Sequence, residues 1–435
     1  MRTFRVVMTN ITQDRVPHPP ARMSLRKEPP VSHRPPCGSL HRSRRLGVAL
    51  LIAPLLGLTG FAGSTAAAAA PAAAAAAAPG DQSATRPGAG IPGAYVVTLR
   101  DGAEPRGVAA RYAARPRHVY VSALNGFAAT LSDGQVRRLE ADPDVVAVEA
   151  DQVVTAGVTQ AVAVGGGLHG LDRIDQRPLP LSGGYSYTRN GTGVRAYVID
   201  TGIATAHVEF GTRAQAVFDA FGGNGQDCNG HGTHVAGTIG GTTYGVAKDS
   251  LLRGVRVLDC AGSGATSGII AGVDWVKANH IKPAVANMSL GGGKSTALNT
   301  AATNLAGAGV FLAVAAGNEN QPACDVSPAS APGVLTTAAS DQTDTRASLS
   351  NYGGCVDLYA TGVAVTSAWL NGGTNTISGT SMASPHVAGV AALYKAYGDA
   401  SSSTVNSWIV SNTTANVIKS NVAGTVNQLL FKSTL

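Results

Sequence analysis

Val194-Arg195-Ala196-Tyr197-Val198-Ile199 is a mostly apolar run that leads directly into Asp200-Thr201-Gly202. Runs of similar texture follow over 252–257, 284–289, 309–315 and 334–339. They are mostly continuous in apolar residues rather than alternating, as strands buried on both faces are, and segments of helical composition separate most of them. The expected fold class is therefore α/β, a largely parallel central sheet with helices on both faces. Reacting groups in such sheets gather beyond the carboxyl ends of the strands, which is where Asp200 stands.

On the N-terminal side of this region the texture changes. Residues 94–99 read as a strand, 105–114 as a helix, 118–121 and 126–131 as strands around a turn at Asn125-Gly126, 132–141 as a capped helix and 145–149 as a last strand. This describes a small α+β domain over 93–155, ahead of a main domain over 156–435. The uncharged stretch 152–167 reads as a linker, and the Ala/Pro/Gly-rich stretch 69–92 as a spacer. Residues 1–68 read as a signal region: basic residues end at Arg44-Arg45, a 16-residue run over 46–61 follows, and small residues come next. Met23 is an alternative start. A run of that length falls short of the roughly 20 residues that span a bilayer, so no stable membrane association is expected.

Net charge is +7, but it is unevenly spread. Residues 1–155 hold 18 Lys/Arg against 11 Asp/Glu, whereas residues 156–435 hold 15 of each. The main domain thus has no basic excess, which argues against nucleic acid as a partner. With 54 glycines and 14% charged residues, the composition suits a loop-rich globular enzyme. Cys228, Cys260, Cys324 and Cys355 suggest two disulfides in an exported domain, with three pairings open; Cys37 falls in the leader.

Four segments could carry chemistry. Asp200 at a strand end would, alone, be an ordinary turn or cap residue. Asn229-Gly230-His231-Gly232-Thr233-His234 sets His231 between glycines at the start of a small-residue helix, with His234 one turn on as a structural support. Gly379-Thr380-Ser381-Met382-Ala383-Ser384-Pro385 opens another such helix, so the Ser381 N–H lies at the positive end of the helix dipole. Ala315-Ala316-Gly317-Asn318 ends an apolar strand with a neutral amide donor. Each has a bland reading alone; their order and settings together do not.

In combination these segments resemble the subtilisin-like serine peptidases, in particular the proteinase K and aqualysin branch, over about residues 170–390. The order Asp, His, Ser is that of subtilisin. The resemblance implies Ser381 as nucleophile, His231 as general base, Asp200 as its orienting carboxylate, and Asn318 with the Ser381 N–H as oxyanion donors. It implies a substrate cleft edged by Ser289-Leu290-Gly291 and Gly262-Ser263-Gly264, and a specificity-pocket wall of Ala315, Ala316 and Gly317. Protein and peptide substrates cut after apolar or aromatic residues are expected, with Thr266 where proteinase K has an aromatic side chain beside a more distant subsite. The 93–151 region resembles the family's inhibitory propeptide, so the chain's own N-terminal domain is an expected partner.

The resemblance also selects the pairings Cys228–Cys260 and Cys324–Cys355, each worth about 3 to 4 kcal/mol on the chain-entropy model. No cofactor is expected for catalysis. A structural Ca²⁺ is implied, held by the Pro332 and Val334 carbonyls and the Asp357 carboxylate. The expectation is a secreted, monomeric endopeptidase made as a precursor. A secreted, inactive peptide-binding protein should lack at least one of the four key residues, and this chain lacks none. An esterase of the Gly-x-Ser-x-Gly type is disfavoured by the sequence around Ser381.

Overall fold

The computed structural model describes residues 86–157, 159–160 and 167–435. The signal region, most of the spacer and much of the expected linker lie outside them.

The N-terminal unit consists of β1 (Gly90–Leu99), α1 (Pro105–Arg111), β2 (Pro116–Tyr120), β3 (Gly126–Thr130), α2 (Asp133–Glu140) and β4 (Val145–Thr155). Its antiparallel order is β2-β3-β1-β4. Ser132 caps α2 in a full capping box with Gln135. Val97, Leu99, Val108, Phe127 and Leu139 fill the core between sheet and helices. Two elements run further than expected. β1 begins at Gly90, inside the stretch read as spacer, and β4 continues to Thr155, inside the stretch read as linker. The extra residues of β4 are in a strand because a partner edge outside the unit takes up their hydrogen bonds.

The main body begins after the short β5 (Thr159–Gln160) with α3 (His169–Asp175), β6 (Arg195–Asp200), β7 (Ala214–Asp219), α4 (His231–Gly240), β8 (Leu251–Arg256), β9 (Ser263–Ala265) and α5 (Thr266–Asn279). It continues with β10 (Ala284–Met288), β11 (Gly292–Gly293), α6 (Thr296–Gly307), β12 (Phe311–Ala315), β13 (Val326–Ser327), β14 (Leu335–Ser340) and β15 (Leu358–Thr361). It closes with β16 (Val365–Ala368), β17 (Thr374–Ser378), α7 (Thr380–Lys395), α8 (Ser402–Asn412), β18 (Thr414–Ala415) and β19 (Gln428–Leu429). The central nine-stranded sheet has the order β18-β19-β15-β14-β12-β10-β6-β8-β7. Every pairing in it is parallel except β18 with β19.

Strand β6 shows why the runs looked continuous. Ala196 and Val198 face one layer with Val235 and Ile239 of α4 and Val387 of α7. Tyr197 and Ile199 face the other, with Ile269 and Val273 of α5 and Leu298 of α6. Both faces are covered, so both sets of alternating positions must be apolar. Small residues let the helices approach: a Cβ at Gly389 of α7 would lie 2.5 Å from Val246 Cβ, and one at Gly237 of α4 would lie 2.3 Å from Ser367 Oγ.

The N-terminal unit docks on α5 and α6 through carboxylates at helix starts. The N-cap residue of α5 is Ala265, which offers no side-chain acceptor. Asp151 of β4 supplies one, accepting from Ser267 N at 3.0 Å and Ser267 Oγ at 2.6 Å. Glu149 does the same for α6, accepting from Ser295 Oγ, Thr296 N and Ala297 N at 3.0 to 3.1 Å. The exchange is reciprocal: Asp274 of α5 accepts from Ser122 N and Ala123 N of the unit at 2.7 and 2.5 Å.

A carboxylate at a helix N-terminus gains from both the free N–H groups and the dipole, by about 0.5 to 2 kcal/mol each. Replacing Glu149 with Gln and Asp151 with Asn together should lower hydrogen-exchange protection of β1 to β4 by about tenfold or more in the full chain. Unchanged protection would remove these caps as the docking force.

Candidate active site

Asp200, the last residue of β6, and His231, the first of α4, meet in the interior. His231 Nδ1 donates to Asp200 Oδ1 at 2.7 Å, and neither side chain is exposed. Thr201 N donates to the same oxygen at 2.7 Å. The flanking glycines are required by sterics. Gly230 has a φ of +108°, and a Cβ there would sit 2.4 Å from Trp369; a Cβ on Gly232 would sit 2.1 Å from Gly202 O. Half-buried Asp227 organises the approach, accepting from Thr201 Oγ1, Asn229 N, Gly230 N, Thr233 N and Thr233 Oγ1 at 2.6 to 2.9 Å. Sequence reading missed it, although an acidic residue ahead of Asn-Gly is a turn signal.

Ser381 lies in the first turn of α7, buried, beside the carboxyl ends of β10 and β12. Its Oγ donates to Ser289 O at 3.1 Å rather than to His231, whose Nε2 is buried without a partner among the described residues. Asn318 follows β12. Its Oδ1 accepts from Thr380 N and Thr380 Oγ1 at 2.8 and 2.9 Å, which fixes the amide so that Nδ2 points into the cleft. There Nδ2 donates to the carbonyl oxygen of Gly157 at 2.8 Å. Thr380, which sets this orientation, was passed over as part of a helix start. Asn351 Nδ2 donates to Ala316 O and to Glu319 Oε2, both at 2.9 Å, fastening the 315–319 stretch.

The strand leading to Gly157 runs between the two expected cleft edges. On one side Val153, Val154 and Thr155 pair antiparallel with Ala265, Gly264 and Ser263, and Ala156 N donates to Gly262 O at 2.8 Å. On the other, Thr155 and Gly291 exchange both backbone hydrogen bonds at 3.1 Å. Val154 is buried among Val257, Leu258 and Leu290. Thr266 Oγ1, at the start of α5, meets Gln152 O at 3.3 Å. The linker reading of 152–157 is thus corrected: Val153-Val154-Thr155 is β-branched, a strand signal that the neighbouring glycines and alanines obscured.

Both disulfides are formed as the resemblance implied, Cys228–Cys260 and Cys324–Cys355. Among the described residues no group of three or more His, Cys, Asp or Glu side chains could hold a metal ion. The implied calcium set leans instead on backbone oxygens. Asp357 is half-buried, and burial raises its carboxyl pKa, opposed only by the hydrogen bond from Thr336 N. Pro332 O accepts from Thr303 Oγ1 at 2.9 Å, and Val334 is buried nearby in sequence. A half-buried carboxylate raised in pKa by desolvation is a hard oxygen donor, chemistry that fits Ca²⁺.

The model of peptidase S8, the subtilase family, matches residues 191–429. The chain belongs to the subtilase family. Its N-terminal unit matches peptidase inhibitor I9 over residues 99–156. The subtilase is 51% identical over 371 residues to "Extracellular serine proteinase" of Thermus sp. (strain Rt41A), covering 78% of this chain and 90% of that one. It is 42% identical over 348 residues to "Proteinase R" of Parengyodontium album, covering 78% and 88%. Among solved structures it resembles a cold adapted subtilisin-like serine proteinase, with a TM-score of 0.60 and 51% identity, covering 62% of this chain and 99% of that one. This subtilase is a serine endopeptidase that carries an inhibitor-type propeptide.

Two further histidines of the subtilase are buried in the same helices, His234 in the first turn of α4 and His386 further along α7. His234 Nε2 meets Val365 O at 3.1 Å and His386 Nδ1 meets Met382 O at 2.8 Å. Burial lowers their pKa values to about 3 and about 4. Both stay neutral in the fold while an unfolded chain takes up protons below about pH 6.5. Stability should therefore fall as pH drops from about 6.5 towards 4, by up to about 1.4 kcal/mol per pH unit for each histidine. Denaturant unfolding of the Ser381→Ala protein between pH 7 and 4 measures this. A flat profile would refute it.

Proposed function

We propose that this subtilase is the precursor of an extracellular endopeptidase that cuts its own chain between Gly157 and Val158 and then hydrolyses other proteins through an acyl-enzyme. The observation that carries the reading is the Gly157 carbonyl on the Asn318 amide, at the end of a strand paired with both cleft edges. A peptide held by β-augmentation, with one carbonyl on a fixed donor, is bound as a substrate would be. On this reading residues 93–157 leave as the propeptide and residues 158–435 form the enzyme.

In the reaction, the Ser381 hydroxyl turns from Ser289 O to His231 Nε2 and attacks the carbonyl carbon as that nitrogen takes its proton. Asp200 holds the imidazole through Nδ1 and stabilises its charge. The oxyanion rests on Asn318 Nδ2 and the Ser381 N–H. Its collapse expels the amine, which takes the proton back from His231, and water then releases the acyl group by the same steps. Ala315, Ala316 and Gly317 bring no charge to the pocket wall, which supports a preference for apolar or aromatic residues before the cut bond. Asp357 and the Pro332 and Val334 carbonyls would hold a Ca²⁺, which would supply structural stability and no chemistry. Disulfides suit an oxidising compartment, and a relative is named as extracellular.

Mass spectrometry of the secreted product should give a chain starting at Val158 that digests casein. Ser381→Ala should remain uncut and lose about ten-thousandfold or more in turnover, and Asn318→Leu about a hundredfold to a thousandfold. Casein digestion undiminished by Ser381→Ala would sink the proposal. For calcium, a chelator should lower the unfolding midpoint of the unaltered protein, and Asp357→Asn should abolish that difference; an equal effect on both would exclude this site.

A further inference from the structure

Pro385 stands inside α7. A proline has no N–H, so the carbonyl four residues back loses its helical partner. That carbonyl belongs to Ser381. A buried carbonyl left alone is costly, and here a side chain replaces the missing donor: Ser289 Oγ donates to Ser381 O at 2.8 Å.

The replacement is itself held in place. Asn287 Nδ2 donates to Ser289 Oγ at 2.8 Å, and Ser384 Oγ donates to Asn287 Oδ1 at 2.7 Å. Asn287, Ser289 and Ser384 are completely buried. The hydroxyl and amide protons run in one direction, from Ser384 through Asn287 and Ser289 to the Ser381 carbonyl, and each donor meets one acceptor. Asn287 is anchored in the middle of the sheet, where β10 pairs with β6 and β12. The chain therefore welds the first turn of α7 to the most central part of the sheet, and it exists because Pro385 opened a place for it.

We infer that Asn287, Ser289 and Ser384 are positioning residues for the nucleophile, acting through the Ser381 main chain. The inference rests on the peptidase reading above. Oxyanion donors and the attacking oxygen must be held within a few tenths of an ångström, and both the Ser381 N–H and its Oγ move with that backbone. Ser289 also begins the cleft edge that pairs with bound peptide at Gly291, so this chain joins the substrate rail to the attacking residue.

The test uses the full chain, matured, with a chromogenic peptide anilide. Ser289→Ala should lower kcat by about tenfold to a hundredfold while KM stays within about threefold. Adding Pro385→Ala supplies a backbone N–H to the Ser381 carbonyl and should recover most of that loss, which a general weakening of the fold would not allow. Ser384→Ala, which touches neither Ser289 nor peptide, should lower kcat about threefold to tenfold at unchanged KM, and it serves where Ser289→Ala fails to mature. A kcat within twofold of the unaltered enzyme in both single variants overturns the inference. So does a Ser289→Ala loss that Pro385→Ala leaves in place, or a Ser384→Ala effect confined to KM. An unaltered enzyme without turnover overturns the peptidase reading instead, and this one with it.

Discussion

The hydrogen bond between His231 and Asp200 requires a helix start and a strand end, 31 residues apart in sequence, to share one point in the interior. Neither polar group has water to fall back on, so each needs the other. That constraint reaches outward. Gly230 and Gly232 must be glycine for α4 to begin where it does, Asp227 must gather the loop before it, and Trp369 can lie against the helix start only because no side chain intervenes. The parallel sheet provides the common edge at which such ends collect, and α7 arrives at the same edge with Ser381.

Much of this was legible because burial leaves a strong trace in composition. A strand covered on both faces has to be apolar throughout, so the β6, β10 and β12 runs were visible before any coordinates, with ends displaced by one or two residues. Helices that pack closely must be small, so the residues around His231 and Ser381 announced their setting. The four key residues became readable only together, since an Asp at a strand end or a Ser at a helix start is commonplace. Asp227, Thr380 and Asn287 stayed hidden because each acts through hydrogen bonds to partners distant in sequence, and spacing carries no record of those.

The error over 152–157 has a different cause. Local sequence describes what a segment can do alone, and Val153-Val154-Thr155 alone has no partner. Its strand depends on two edges contributed by residues more than a hundred positions later. The same holds for Glu149 and Asp151, which look like ordinary acidic residues near a strand end and serve as caps for helices of another domain. Readable features are those in which a residue answers to its neighbours in the chain. Contacts across a domain boundary are the least readable.

Those caps also give the molecule a history. Helices α5 and α6 carry carboxylates from the N-terminal unit at their first turns, and under the maturation proposed above that unit would depart and water would replace them. The chain that folds and the chain that later unfolds are then different molecules, so heating and cooling the product does not retrace the path by which it was made. A mature enzyme made in that way would inherit an architecture whose scaffolding has been taken away.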